Sequence, residues 1–115
     1  MVKLEYSPVA LEKLGAIHRY ITEELKNPTG ANNTLESIYK KIQILKEMPK
    51  IGAPLTSRCS EVPGSLTDVR VLPCGSYIVL YLFNGSAVKI LRLYNTKEDY
   101  IRHLFGATTE FSGTA

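Results

Sequence analysis

A chain of 115 residues has room for one domain with a modest core. Its 44% hydrophobic and 22% charged residues are those of an ordinary soluble protein, without the ~20 consecutive apolar residues of a membrane helix or the apolar segment of a secretory signal. The net charge of +3 permits nucleic-acid contact without demanding it. Cys59 and Cys74 have no metal-site spacing, and His18 and His103 stand apart from them. The expectation is a cytoplasmic protein with free thiols, no metal, no cofactor and no membrane partner.

Residues 2–6 form a short candidate strand. Ser7-Pro8 then opens a helix: serine is a favoured N-cap, and proline suits the first helical position because its missing N–H has no partner there anyway. Leu11, Leu14, Ile17, Ile21 and Leu25 recur at helical spacing and predict one apolar stripe. Asn27-Pro28 repeats the start signal, and Leu35, Ile38, Ile42 and Leu45 mark a second helix stopped by Pro49. A short connection favours an antiparallel helical hairpin.

Gly52, Pro54, Pro63 and Gly64 make residues 50–65 a predicted loop. The period then changes to two. Residues 66–72, 77–83 and 86–94 are rich in Val, Ile, Leu and Tyr and read as three strands. Asn84-Gly85 is a hairpin signal, because both central residues of a type I′ turn need positive φ. Residues 73–76 supply the other turn. Thr96 and Asp99 have the spacing of a capping box, opening a short helix through Phe105 with Gly106 as its stop. The order β-α-α-β-β-β-α describes an α+β fold: an antiparallel sheet on an N-terminal helical hairpin, with a short C-terminal helix. The domain spans 3–106, and 107–115 reads as a flexible tail.

Those turns fix which residues share a face. A two-residue turn at Asn84-Gly85 pairs Tyr81 with Val88 and Tyr77 with Arg92, and a four-residue loop at 73–76 pairs Arg70 with Val79. One face then carries Val69, Val71, Ile78, Leu80, Leu82, Ala87, Leu91 and Leu93, with Lys89 as its one charge, and should bury the helices. The other gathers Asp68, Arg70, Tyr77, Tyr81 and Arg92. Two arginines and two tyrosines on an open sheet face could bind phosphate and stack bases. The alternative is that Asp68 and Arg70 are solvated charges and the tyrosines pack under the last helix.

Particular strings give these elements a resemblance. Tyr6-Ser7-Pro8-Val9-Ala10, Ile17-His18-Arg19-Tyr20-Ile21, Met48-Pro49, Val69-Arg70-Val71-Leu72, Gly75-Ser76-Tyr77-Ile78-Val79-Leu80-Tyr81, Val88-Lys89-Ile90-Leu91-Arg92-Leu93-Tyr94 and Asp99-Tyr100 stand in order over nearly the whole chain. Together they resemble the RelE/ParE superfamily of bacterial toxins. The resemblance implies a toxin of a type II toxin–antitoxin system, held inactive by a cognate antitoxin that wraps over it. In the RelE-like branch such a toxin cuts messenger RNA in the ribosomal A site without a metal. In the ParE-like branch it inhibits DNA gyrase and is not an enzyme. A third possibility is a decayed toxin that only binds its antitoxin.

Ribosome-dependent cleavage, as a metal-independent endoribonuclease, is the leading expectation. It needs a base for the ribose 2′-OH, cations for the phosphate and an acid for the leaving oxygen. The positions that match the family's catalytic residues are Arg70, Lys97 and Tyr100, with Arg92, Tyr77 and Tyr81 as RNA or phosphate contacts. Many members carry His-x-Arg-Arg-Asp-Tyr where this chain has Asn95-Thr96-Lys97-Glu98-Asp99-Tyr100.

Overall fold

The computed structural model describes residues 2–57, 62 and 64–97. Strand β1 (Lys3–Tyr6) leads into helix α1 (Pro8–Arg19), and α2 (Pro28–Gln43) follows. Both helices start where the capping residues predict. The Ser7 hydroxyl accepts from the Ala10 N–H at 3.0 Å, and the Asn27 side chain accepts from the Gly30 N–H at 2.9 Å, each with proline just inside the helix. A π-helical turn, Tyr20–Glu24, extends α1, and Lys26 takes φ +51° as the chain turns back. His18 reaches Asn32 at 3.0 Å and ties the two helices together.

Four more strands complete the sheet: β2 (Ala53–Pro54), β3 (Arg70–Cys74), β4 (Tyr77–Phe83) and β5 (Ala87–Asn95), in the order β1-β5-β4-β3-β2. The sheet is mixed rather than antiparallel throughout, because β1 runs parallel to β5. This follows from connectivity: β1 enters at the edge and continues as α1 across the sheet, leaving no hairpin to reverse it. The predicted 50–65 loop contributes β2, which pairs Ala53 with Val71 and Pro54 with Arg70. The predicted helix from Thr96 to Phe105 and the tail lie outside the described residues.

Both hairpin turns are shifted from their predicted positions. Asn84 N–H donates to the Ala87 carbonyl at 3.1 Å, so Gly85 and Ser86 occupy the turn, with Gly85 at φ +98°. The Asn84 side-chain oxygen accepts from the Ser86 and Ala87 N–H groups at 2.9 and 2.8 Å. Gly75 and Ser76 form the second turn, with Gly75 at φ +63° and Cys74 opposite Tyr77. Glycine in the first central position is the type II′ arrangement. Each shift changes the register by an even number of positions, so face membership survives the turns.

It does not survive the middle of β5. Tyr81 pairs with Ile90 but Leu80 pairs with Arg92, leaving Leu91 as an extra residue. This β-bulge reverses the alternation beyond it. Ser7 fits the irregularity: its N–H donates to the Ile90 carbonyl at 2.9 Å and its hydroxyl to the Leu91 carbonyl at 2.6 Å. The residue that caps α1 therefore also anchors the bulge.

The helices pack on the face opposite to the one expected. Leu14, Ile17, Ile21, Ile38, Ile42 and Leu45 bury against Leu72, Val79, Tyr81, Val88, Ile90 and Leu93. Leu11 and Leu25, predicted on the α1 stripe, are exposed, and Ala10 takes an inward position instead. Val69, Val71, Ile78 and Leu80 form a second core with Leu55 and Tyr94. The sheet is apolar on both faces, so a count of apolar side chains could not rank them. Of the polar groups that made one face look open, the Tyr81 hydroxyl and one guanidinium nitrogen of Arg70 are bonded to backbone atoms.

Candidate functional site

The expected platform separates into three places. The first is a latch. Residues 49–52 cross the helix-side edge of β3 and β4, where Arg70 lies opposite Tyr81. The Tyr81 hydroxyl donates to the Pro49 carbonyl at 2.8 Å and accepts from the Gly52 N–H at 2.9 Å. One Arg70 guanidinium nitrogen donates to the Lys50 carbonyl at 3.1 Å and the Gly52 carbonyl at 2.6 Å. Tyr81 is fully buried. Burial pushes its hydroxyl above the usual tyrosine range, against the smaller opposing effects of the Gly52 hydrogen bond and the Arg70 charge. A Cβ on Gly52 would stand 2.7 Å from the Tyr81 ring and hydroxyl and 2.9 Å from the Val71 carbonyl oxygen, so only glycine fits there.

The second place surrounds Tyr77, at the opposite end of β4. Its half-buried side chain lies between two clefts. One, of about 320 Å³, is lined by Thr34, Ser37, Lys41, Cys74 and Ser76 among others. The other, of about 260 Å³, is lined by Lys13, Ala16, Tyr20 and Asn95 beside Tyr77. Burial pushes the Cys74 thiol up to about 11, with the nearby Lys41 ammonium opposing it, so the thiol is protonated and poorly nucleophilic at neutral pH. Lys97 is exposed just past β5, where its N–H donates to the Asn95 side chain at 2.9 Å. Asn95 pairs with Tyr77. Tyr77 stands four residues along β4 from the Tyr81 that faces Arg70, so Asn95 is displaced from Arg70 by about 13 Å along the sheet, and Lys97 follows two residues past Asn95.

The third place is Arg92. The bulge turns it away from Arg70, onto the face of the second core opposite Leu80. The expectation that Arg70, Tyr77, Tyr81 and Arg92 share a face is thus corrected at Arg92. The first three do share it, beneath the helices. Tyr100 lies outside the described residues. Sequence reasoning missed Gly52 and the carbonyls at 49, 50 and 52, since glycine in a loop signals only a turn. It also missed Lys13 and Lys41, whose helical positions carry no distinguishing spacing. Among the described residues no three His, Cys, Asp or Glu side chains converge as a metal set, and no helix is long and apolar enough to cross a membrane.

The site thus sits on a helical hairpin packed against a five-stranded mixed sheet, and comparison with known proteins places this arrangement. Residues 4–100 match the family described as the ParE toxin of the type II toxin–antitoxin system, parDE. The chain belongs to this family, within the RelE/ParE superfamily of toxins. It is similar to a solved chain of the chromosomal ParDE toxin–antitoxin system from P. aeruginosa, at 25% identity and a TM-score of 0.66, over 83% of this chain and 96% of that one. Similarity to YafQ from E. coli strain BL21(DE3) is weaker, at 14% identity and a TM-score of 0.49, over 83% and 93% of the two chains. No curated protein matches the chain.

Proposed function

We propose that this toxin arrests growth by binding DNA gyrase and that it does not cut messenger RNA. The observation that carries this reading is how its arginines are placed. Cleavage needs cations converging on one phosphate. Arg70 is anchored to two backbone carbonyls, Arg92 faces the other side of the sheet, and Lys97 is displaced along it. The match to a ParE family and to a ParDE structure supports the same branch.

A paired assay tests it. Purified toxin should inhibit supercoiling by gyrase and leave message intact on translating ribosomes. Cut message with full gyrase activity would overturn the reading and restore Arg70, Lys97 and Tyr100 as cleavage residues. Normal growth on expression without antitoxin would instead mark the chain as a decayed toxin.

A further inference from the structure

The latch satisfies the buried Tyr81 hydroxyl, and the segment it holds turns large apolar side chains outward. Met48 is 53% exposed, Ile51 44% and Ile44 38%. Backbone hydrogen bonds join them: Met48 N–H donates to the Ile44 carbonyl at 2.9 Å and Ile51 N–H to the Met48 carbonyl at 3.1 Å. The result is one apolar ridge at the C-terminal end of α2. Beside Ile44 an open depression of about 420 Å³ is lined by Lys40, Gln43, Lys46 and Glu47. Lys50 is exposed at the other end of the ridge. Lys40 is paired with Glu36 at 3.0 Å, so Lys46 and Lys50 are the lysines this border offers a partner, beside Glu47.

We propose that this ridge is a docking surface for an acidic segment of the antitoxin with apolar side chains along one side. Contiguous exposed apolar residues with a polar border mark a protein interface. The lysine border selects an acidic partner by charge complementarity. A second copy of this chain, at net charge +3, would bring like charge to that border. Nucleic acid would use the lysines and leave the ridge in water. The Arg70 and Tyr81 hydrogen bonds fix the ridge before the partner arrives, so less ordering is lost on binding. The inference depends on family membership and not on the gyrase target.

The test uses the toxin with its co-expressed antitoxin. Met48→Asp/Ile51→Asp toxin should arrest growth when expressed alone and keep its melting temperature. Its affinity for antitoxin should fall about tenfold or more, and co-expressed antitoxin should no longer rescue growth. Lys46→Glu/Lys50→Glu should weaken the same complex, most at low salt. Unchanged affinity for antitoxin in both variants would overturn the proposal. If toxicity were lost at the same time, the ridge would belong to the target. If the first variant melts early, the lysine variant, which leaves the apolar side chains in place, decides the question.

Discussion

At one end of β4, Tyr81 is buried with both hydrogen-bonding capacities of its hydroxyl used by the backbone of residues 49–52. At the other, Tyr77 stands half-buried between two clefts. The two share a strand, a sheet face and a side-chain type. What separates them is the chain laid over them: a tight segment from the end of α2 covers Tyr81, while the helices leave space around Tyr77. A tyrosine on a sheet face is therefore neither a ligand nor a core residue until its covering segment is known.

Tyr81→Ala should give the largest effect, a loss of about 3–5 kcal/mol in urea unfolding, because it opens a cavity and strands the latch. Gly52→Ala should cost about 1–3 kcal/mol, since neither the Tyr81 ring nor the Val71 carbonyl can retreat easily. The same conservative change at the two ends sharpens the contrast. Tyr81→Phe leaves the Pro49 carbonyl and Gly52 N–H unpaired and should cost about 1–3 kcal/mol. Tyr77→Phe should stay within about 0.5 kcal/mol. Equal losses at the two positions would break the comparison.

Alkaline pH supplies a smaller effect. Cys74 and Tyr81 both hold their protons more tightly when folded, since burial raises both groups. The folded state then binds more protons than the unfolded chain, so stability falls as pH rises. The Cys74 contribution is complete below about pH 9 and is lost up to about 11. Cys74→Ala should flatten stability across that interval, and Tyr81→Phe should flatten it above about pH 10. An unchanged alkaline slope in Cys74→Ala would place its thiol in solvent.

Much of the fold was legible because its signals are local. Ser7-Pro8 and Asn27-Pro28 announce helix starts through hydrogen bonds spanning three residues. Asn84-Gly85 announces a hairpin, although the glycine stands first in the turn and not second. The candidate site was legible only as a set of residue types. The pattern places Arg70 and Tyr81 on one face but pairs Arg70 with Val79 where the structure pairs it with Tyr81, and their hydrogen-bond partners are backbone atoms of residues 49–52, about which side-chain identity says nothing.

The sequence by itself determined the helical hairpin, the three long strands, the strand character of residues 3–6 and the resemblance that names the family, all through local periodicity, caps and ordered strings. Tertiary structure alone decided which face the helices cover, where β5 bulges and therefore where Arg92 points. Both faces are apolar enough to bury, and the choice between them depends on how the chain from α2 returns to the sheet. The bulge depends on Ser7 meeting the carbonyls of Ile90 and Leu91 from more than eighty residues away in the chain, a contact that no spacing within β5 records.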